Sequence, residues 1–518
     1  MSQICSFEDC ERDVFQDRQE CVLHCEKKDY STDWFNIKIL ANFYDELIEY
    51  IANFIFHPLW GSSQDLNIDS IDSLKRYLKD EFSIDDVISD LPLTVAFNGI
   101  FFPCRDDRDR FDYFKILKKL ESIHFGFCKF SLSWIDLPEV KFFYQDCEFN
   151  TYWYISKSKL LGNMNNVLYQ NCIFNGAVST HFEADEERVL EISLFNDCTF
   201  RKSLVLSSLA ITKPLFKNTE NIVVEIPELQ IRRCNIENEF LLSDLKTNLL
   251  HIEKSKFLSK VEIQKCDIAE AKFIDSDFKS SFDAYGTSFG NFFAATTIFS
   301  DFAGFERCEF GKASDENGVA QFEYVTFLSF ANIRNTIFHQ GLNLEDTNLK
   351  EAPNFLNIQL LSDNTNRETY RIIKHSFDKI GNHIEANRFY AKEMDKYQQS
   401  LKDKPISQEK IIFWLNKYSS NFGQSYLLPI FWIAVFTGIY YLIIQGYESE
   451  ILYSSYLPWN EKINFFATKL NDVASNVIPF KNLMKESKGY EFITLIFYVV
   501  LASLIWQTIV ALKRYTQR

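Results

Sequence analysis

Between Ala271 and Asn354 the chain repeats a short unit that has an aromatic or aliphatic residue at its centre. A small residue or a cysteine usually stands two positions before that centre. The central residues follow one another at intervals of 5, 10 or 11 residues, with one longer interval of 17. An interval of five fits neither the period of a helix nor that of a strand, so the pattern predicts a solenoid whose chain turns a corner every few residues. The clearest copies are Ala271-Lys-Phe273, Ser276-Asp-Phe278, Thr287-Ser-Phe289, Thr297-Ile-Phe299, Cys308-Glu-Phe310, Val325-Thr-Phe327, Thr336-Ile-Phe338 and Thr347-Asn-Leu349.

The residue types of the repeat follow from where each side chain lies in such a coil. The large apolar side chain points to the axis and stacks on its counterpart in the next turn. The residue two positions earlier also points inward but has little room, and polar residues at the remaining positions face solvent. The predicted core residues are Phe273, Phe278, Phe289, Phe299, Phe310, Phe327 and Phe338.

With this repeat the chain resembles the pentapeptide-repeat family. The resemblance implies a mainly β fold, a right-handed quadrilateral β-helix solenoid with short faces. Phenylalanine in place of the leucine that is commoner in the family suggests a wide core of stacked rings. An amphipathic β-sheet with coincidental spacing is the alternative.

A sparser form of the same signature continues upstream of Ala271. Successive copies there are mostly roughly twenty to thirty residues apart, and a four-sided turn with five-residue faces needs about twenty residues. Each copy is therefore interpreted as one corner of a turn whose other faces are irregular, which predicts a solenoid over residues 92–360. The upstream copies are Cys128-Lys-Phe130, Cys147-Glu-Phe149, Cys172-Ile-Phe174, Cys198-Thr-Phe200, Cys234-Asn-Ile236, Ser255-Lys-Phe257 and Cys266-Asp-Ile268.

The composition argues against two classes of protein. A formal net charge of −16 leaves no positive surplus to release counterions from phosphates, so direct nucleic-acid binding is not expected. Twelve cysteines could indicate a disulfide framework, but seven of them stand at the small inward position of the repeat, where a free thiol behaves as a small apolar side chain. Because no secretory signal pattern is recognised either, we expect the N-terminal three quarters to lie in the reducing cytosol.

Residues 1–30 are predicted to form a zinc-knuckle-like cap. Cys5 and Cys10 precede the stretch Cys21-Val-Leu-His-Cys25, and two such groups separated by a short loop supply the four ligands of a structural zinc site. The candidate ligands are Cys5, Cys10, Cys21 and one of His24 or Cys25. Unliganded thiols on a small cap are the alternative. Acidic residues surround the cluster, so a protein rather than a nucleic acid is expected as its partner.

Two apolar segments with helical periodicity occupy residues 31–91. The first runs from about Trp34 to Phe56 and the second from Ile71 to Phe82. An unpaired solenoid end promotes aggregation, so both segments are predicted to pack on the first turn and shield its open edge. Residues 31–91 are therefore predicted to be a helical capping region.

Beyond residue 360 the pattern becomes helical. Between Arg367 and Leu401, apolar residues recur at three- and four-residue steps on both sides of a Gly-Asn break, which predicts an antiparallel helical hairpin in a linker at 361–422. The stretch from Glu385 to Met394 resembles the helical linker between pentapeptide repeats and membrane segments in bacterial proteins of this family. An oligomerisation element and a plain solenoid cap are the alternatives.

A membrane domain with two transmembrane helices is predicted at residues 423–518. The segments at about 426–444 and 492–512 lack charges and are long enough, at about 1.5 Å per residue, to cross a hydrocarbon layer of about 30 Å. Two crossings and a basic tail predict a bacterial inner-membrane protein with its body and C-terminus in the cytoplasm. Two buried core helices are the alternative. Residues singled out within the spans are Tyr426, Trp432, Tyr441, Phe492, Tyr498, Trp506 and Gln507.

No catalytic constellation is recognised in the sequence, so a non-enzymatic protein is expected. Its eight histidines are scattered, and it contains neither a glycine-rich phosphate loop nor a nucleophile elbow. The predicted function is that of a membrane-anchored sensor and effector. Its solenoid would bind a protein partner or form a homo-oligomer, and its membrane helices would form a pore in the bilayer or disrupt it, as in bacterial defence proteins.

Two other functions stay open at this point. A passive scaffold would recruit a cytosolic partner to the lipid bilayer without changing the permeability of the membrane. A DNA mimic would bind topoisomerase through an acidic solenoid, as the resemblance to pentapeptide-repeat proteins implies. The net charge favours mimicry, whereas membrane anchoring and the irregular phenylalanine-rich coils argue against it.

Overall fold

The chain winds into a parallel β-solenoid of about ten turns, whose strands lie between Thr94 and Leu360. This computed structural model therefore confirms the predicted parallel β-solenoid in a mainly β chain. The chain divides into two compact units, Met1–Asn364 and Thr365–Arg518, which we describe separately. The structure describes residues 4–8, 10–27, 37–56, 68–81, 93–104, 111–137, 139–155, 167–180, 188–217, 225–312, 318–401, 405, 407–448, 465, 469 and 491–516.

The predicted domain boundaries at 30/31 and 91/92 lie outside the described residues. The boundary at 360/361 lies directly after the strand Gln359–Leu360.

The length of one turn follows from the register of neighbouring strands. In the regular part Lys246 pairs with Asp267 and Asp267 with Ser288, so equivalent residues of successive turns are 21 positions apart. The turn after Phe293 is longer, because that residue pairs with Gln321, well beyond the regular spacing. This extra length accounts for the single interval of 17 in the repeat.

The upstream turns are less regular, as their sparse signature suggests. Thr94 pairs with Ser122, and Ser122 with Lys141, so the second of these turns is much shorter than the first. Tyr144 pairs with Tyr169, which makes the next turn intermediate in length. The turns differ in the number of residues between strands, and the strands themselves stay in register.

The described strands form five sheets, and within each sheet all neighbours are parallel. The first sheet contains Thr94–Asn98, Ser122–Gly126, Lys141–Gln145, Val167–Gln170 and Ser193–Asn196. The second contains Phe101–Phe102, Lys129–Phe130, Glu148–Phe149, Ile173–Phe174 and Thr199–Phe200. The third contains Trp153–Tyr154, Val178–Ser179, Ser203–Ser207, Glu228–Arg232, Lys246–Glu253, Asp267–Ile274, Ser288–Ala295, Glu309–Phe310, Ala320–Glu323, Ile337–Phe338, Leu342–Asn343 and Gln359–Leu360. The fourth contains Arg188–Leu190, Leu209–Ile211, Asn235–Ile236, Lys256–Phe257, Asp277–Phe278, Ile298–Phe299, Thr326–Phe327 and Asn348–Leu349. The fifth contains Phe240–Ser243, Val261–Gln264, Phe282–Asp283, Ala303–Gly304 and Ala331–Asn332.

A left-handed backbone residue makes the corner that precedes most copies of the repeat. Its φ lies between +48° and +58°, a region in which most side chains crowd the backbone. Asp and Asn tolerate this conformation best among non-glycine residues and occupy several of these corners, although the series also includes bulkier residues. The corner residues are Phe127, Asp146, Asn171, Asp197, Arg233, Lys254, Lys265, Asp275, Thr296, Arg307, Tyr324, Asn335 and Asn357.

The small residue after each corner is a hydrogen-bond donor as well as a space filler. The Cys147 thiol donates to the carbonyl of Phe125 in the preceding turn, at 3.2 Å, and to the carbonyl of Gln145 in its own turn, at 3.3 Å. The Thr297 hydroxyl donates in the same way, to Phe273 and Ala295, at 3.0 Å each. The sequence analysis inferred small residues here only from the limited room. That reason is incomplete, because Cys, Ser and Thr also donate hydrogen bonds to buried carbonyls, which alanine cannot do.

All twelve cysteines are free thiols, and most are buried. Burial raises the pKa of the Cys266 thiol to about 11, which keeps it protonated and able to donate at neutral pH. The seven repeat cysteines therefore contribute to the fold without any disulfide.

Aromatic rings of successive turns stack into columns along the axis. In one upstream column neighbouring ring centroids lie 4.7–5.2 Å apart with planes 8–11° from parallel. Rings of adjacent columns meet edge to face, which is the other favoured aromatic geometry. The upstream columns are Phe102, Phe130, Phe149, Phe174 and Phe200, and Phe97, Phe125, Tyr144, Tyr169, Phe195 and Phe216.

The seven predicted core phenylalanines are all buried. Six lie in two downstream columns, in which neighbouring centroids are 4.8–5.1 Å apart. The seventh, Phe273, meets the Phe292 ring edge-on at 5.5 Å. The columns are Phe257, Phe278, Phe299 and Phe327, and Phe289, Phe310 and Phe338.

Three helices accompany the solenoid in the described part of the first unit: α1 (Ile37–Ile55), α2 (Ile68–Leu78) and α3 (Phe114–Leu117). Helix α1 lies against the first turn, where the Phe43 ring meets the Phe102 ring at 6.0 Å. The Tyr50 hydroxyl donates to the carbonyl of Ala96 at 2.9 Å. These contacts cover apolar side chains of the first turn.

The second unit contains the described helices α4 (Arg367–Lys379), α5 (His383–Ser400), α6 (Gln408–Ser420), α7 (Leu427–Glu448) and α8 (Glu491–Thr516). Helices α4 and α5 pack together as a hairpin around the Gly-Asn break, with the Phe377 and Phe389 rings stacked at 5.7 Å. Asn366 and Asn382 cap the two helices by accepting hydrogen bonds from backbone amides. The predicted linker at 361–422 also includes α6, a helix that was not identified from the sequence.

Replacing Phe299 tests the stacked columns. Its ring lies 5.0 Å from both the Phe278 and Phe327 rings, so Phe299→Ala removes two contacts and leaves a cavity. We expect a loss of about 3–5 kcal/mol in the free energy of unfolding, measured by denaturant titration of the full-length protein in detergent. Leu328→Ala, at an exposed position of the next turn, should cost less than about 0.5 kcal/mol. Equal effects of the two substitutions would contradict the stacked core.

Substitutions at Asn171 test the left-handed corner. This exposed residue has φ +51°. Asn171→Ala should lower the free energy of unfolding by about 1 kcal/mol, because a β-carbon is strained there, whereas Asn171→Gly should change it by less than about 0.5 kcal/mol. The same denaturant titration compares them. A glycine variant less stable than the alanine variant would show that strain does not govern the corner.

Candidate metal centre and membrane segment

Three cysteines and one histidine converge near the N-terminus. The ligand atoms of Cys5, Cys10, Cys21 and His24 all lie within 4.8 Å of one another. The sulfurs of Cys10 and Cys21 are 3.8 Å apart, and His24 Nδ1 lies 3.5 Å from the Cys5 sulfur and 3.3 Å from the Cys21 sulfur. This Cys3His cluster could hold one metal ion.

Two short backbone elements place these ligands. Cys5 precedes a tight loop and is held by hydrogen bonds from its amide to Arg12 and from the Cys21 amide to its own sulfur. Residues 21–25 form a single helical turn, in which the amides of His24 and Cys25 donate to the carbonyl of Cys21. Residues three apart in such a turn share a face, so Cys21 and His24 both point into the cluster.

Cys25 does not belong to the cluster. Its thiol is directed to the carbonyl of Val22, at 3.8 Å, and burial raises its pKa. Spacing in the sequence leaves His24 and Cys25 both open as the fourth ligand. Because Cys25 is one residue further around the helical turn, its side chain projects away from the other three cysteines, and the structure brings His24 to them instead.

Burial sets the protonation of the metal-free ligands. It lowers the pKa of His24 to about 4, although a hydrogen bond with the backbone of Asn98 acts in the opposite direction and raises that pKa. The imidazole is therefore neutral at pH 7, as a metal ligand must be. Burial also raises the pKa of Cys21 to about 12, so the free site carries a thiol there. Metal binding must displace that proton, because the thiolate is the ligand.

The cluster is joined to the first turn of the solenoid. The Phe7 ring stacks on the His24 ring, with centroids 4.1 Å apart, and lies directly over Gly99. Gly99 has φ +67°, and a β-carbon there would lie 1.9 Å from the Phe7 ring. Buried Lys27 donates to the carbonyls of Leu23, Cys25 and Phe101, which bridges the two segments.

Helices α7 and α8 carry the candidate membrane residues. Among the described residues one helix is long and apolar enough to cross a membrane, Leu495–Arg514 within α8, and Leu427–Ile443 within α7 is apolar but shorter. The two-crossing arrangement therefore stays a prediction. The helices contact each other through a small core in which the Tyr440 and Phe497 rings stack at 4.0 Å.

The structure places the other predicted span residues as follows. Trp506 is exposed on α8, Tyr498 is buried in the core between the helices, and Tyr441 is partly buried on α7. Tyr426 lies just before the first residue of α7, and the Trp432 indole donates to the carbonyl of Tyr418 at 2.8 Å. Phe492 is in the first turn of α8, and its side chain lies outside the described part of the structure.

Gln507 is a polar residue of the span that makes hydrogen bonds outside α8. Its amide nitrogen donates to Asn416 Oδ1 of α6 at 3.1 Å, and its carbonyl oxygen accepts from the Ser419 hydroxyl of the same helix. No partner is predicted for this glutamine from the sequence, because α6 was not identified there. The sequence does contain a signal for α6. Ser407 is a typical N-cap residue, and apolar residues follow it at helical spacing from Ile411 to Tyr418.

Comparison of the chain with protein-family models, with characterised proteins and with solved structures found no match. The resemblance to pentapeptide-repeat proteins thus rests on the repeat itself.

Substitutions in the cluster separate the two candidate fourth ligands. His24→Ala should weaken Co²⁺ binding at least about tenfold and shift the tetrahedral d–d absorption of the Cys3His site, because the imidazole ligand is lost while the three thiolates remain. Cys25→Ser should keep both the spectrum and a stoichiometry of one ion per chain. The measurement is a titration of the reduced full-length protein in detergent. Loss of the spectrum in Cys25→Ser with retention in His24→Ala would refute the assignment.

Proposed function

We propose that this protein is a non-enzymatic, membrane-anchored binding protein. Its β-solenoid presents an extended surface to a macromolecular partner or to another copy, and its C-terminal helices hold it at a lipid bilayer. The observation that carries the proposal is the exposure of Leu495–Arg514, of which only 28% is buried although it is strongly apolar. An apolar helix with so little protein cover needs another apolar environment, and hydrocarbon supplies it.

The same proposal includes a second crossing by α7 and a cytoplasmic location for the body and the C-terminus, at a bacterial inner membrane. Several side chains of α7 are exposed and apolar, among them Leu427, Phe431 and Leu442. Lys513 and Arg514 end the apolar part of α8 with positive charge, which favours the cytoplasmic side. The free cysteines agree with a reducing compartment.

We further propose that the N-terminal cluster binds zinc in a structural role. In a tetrahedron with zinc–sulfur distances of about 2.3 Å and a zinc–nitrogen distance of about 2.0 Å, neighbouring ligand atoms are about 3.5–3.8 Å apart. Three of the six separations, 3.3, 3.5 and 3.8 Å, are close to these values, and all six lie within 4.8 Å. Four protein ligands leave no open position for a reacting water, so zinc here would stabilise the knuckle against the first turn.

An effector that opens the membrane is the second candidate. Two polar groups on α7, Thr437 Oγ1 and Tyr441 OH, are buried without a hydrogen-bond partner in the part of the chain that the structure describes. Polar groups in lipid commonly bond across helices, so a homo-oligomer in which the helices repack would bring these two groups to a neighbouring copy or to a pore. In favour of a passive anchor, Gln507 is already bonded within the chain, and the Ser503 and Thr508 hydroxyls donate to carbonyls of their own helix.

Comparing the full-length chain with a variant ending at Ser425 tests the anchor. We expect the full-length protein to stay in the membrane pellet after carbonate extraction and the truncated protein to be soluble, because α7 and α8 are its only proposed spans of the bilayer. Release of the full-length protein by carbonate would refute the proposal.

A potential-sensitive dye in the same cells separates the two candidates. Depolarisation by the full-length chain but not by the truncated chain would establish the effector. An unchanged potential, together with stable anchoring, would establish the scaffold. Binding of topoisomerase by the truncated chain would favour the DNA mimic instead.

A further inference from the structure

Helix α6 (Gln408–Ser420) has an inverted distribution of polar and apolar side chains. Its outward face consists of Ile411, Ile412, Trp414, Leu415 and Tyr418, which are each between 51% and 56% exposed. Its inward face, at positions three and four apart, carries Phe413, Asn416, Lys417 and Ser420, which are buried or half-buried. A surface helix of a water-soluble protein has the opposite arrangement.

The polar inward face of α6 is hydrogen-bonded to the rest of the second unit. The Lys417 ammonium donates to Asp395 Oδ1 at 2.8 Å and to Gln398 at 3.0 Å, both on α5. Asn416 and Ser419 bond the Gln507 amide on α8. With these groups satisfied inward, the helix is fixed in the orientation that leaves its apolar side chains outside.

The depth of these contacts along α8 identifies the environment of the outward face. Gln507 lies seven residues before Arg514, so α6 contacts the candidate span about 10 Å from its basic end. Amphipathic helices that lie in a membrane interface bury their apolar face by about 5–10 Å. Tryptophan and tyrosine, which the outward face contains at Trp414 and Tyr418, favour this region.

We propose that α6 lies in the plane of the membrane, with its outward face among the acyl chains next to the headgroups and on the side of the bilayer where α8 ends. The occupant of this face is therefore lipid. The inference rests on the proposed function, because it requires α8 to be in a bilayer. With this inference α6 becomes a third membrane segment, which does not span the bilayer. It follows the α4–α5 hairpin in the chain and is joined to α8 by the Gln507 hydrogen bonds.

Photocrosslinking in intact membranes tests the inference with the full-length chain. p-Benzoylphenylalanine (Bpa) is introduced as Leu415→Bpa on the outward face and, as the matched control on the same helix, as Phe413→Bpa, whose native ring lies 4.9 Å from the Tyr397 ring. We expect irradiation to attach phospholipid to position 415, detected by mass spectrometry of the peptide, and to yield only crosslinks within the chain at position 413. Tyr418→Bpa repeats the outward measurement if the first variant does not accumulate.

Each other outcome overturns the inference in a distinguishable way. Crosslinks from Leu415→Bpa to a second copy or to another protein would make the face a protein interface. The absence of any adduct in a carbonate-resistant protein would place α6 in water while leaving the anchor intact. Release of the protein by carbonate would remove the proposed function and the inference together.

Discussion

The fold of the first unit depends on the stacking of one turn on the next, because no single turn can bury its rings or pair its backbone alone. At most corners three local features act in sequence. A left-handed residue turns the chain, the following thiol or hydroxyl donates to two carbonyls, and the ring two positions later meets its counterpart in the neighbouring turn. At the Val325 corner the hydroxyl or thiol is replaced by an apolar side chain, and the Phe327 ring still stacks on the Phe299 ring at 5.0 Å.

This architecture was predictable from the sequence because each corner is encoded by a few consecutive residues. Every copy carries its own inward residue and its own large apolar side chain, so Cys147 and Phe149 are as informative as Cys308 and Phe310. The length of the connections was not predictable in the same way. A long turn pairs as well as one of regular length, and only the register shows where the extra residues lie.

At the candidate metal centre the sequence predicted the residue types but not the choice between His24 and Cys25. Both follow Cys21 by about one helical turn, and both are common metal ligands, so spacing alone cannot decide. The choice between His24 and Cys25 is decided by the direction in which each side chain leaves the helical turn. That direction depends on how residues 21–25 pack on the first turn of the solenoid. In the second unit, hydropathy predicted the apolar segments. The hydrogen-bond partner of Gln507 was not predictable, because it lies on α6, a helix that only the structure identified.

The long turn after Phe293 has a consequence for how such a protein can diversify. Strands on both sides of it keep their partners, and the following turn returns almost to the regular length, since Ile337 pairs with Gln359. The extra residues thus fall between the strands Glu309–Phe310 and Ala320–Glu323, and the ring stacks stay in line. Surface loops of new length and chemistry can be gained or lost at such a site during evolution, while the packed interior retains its order.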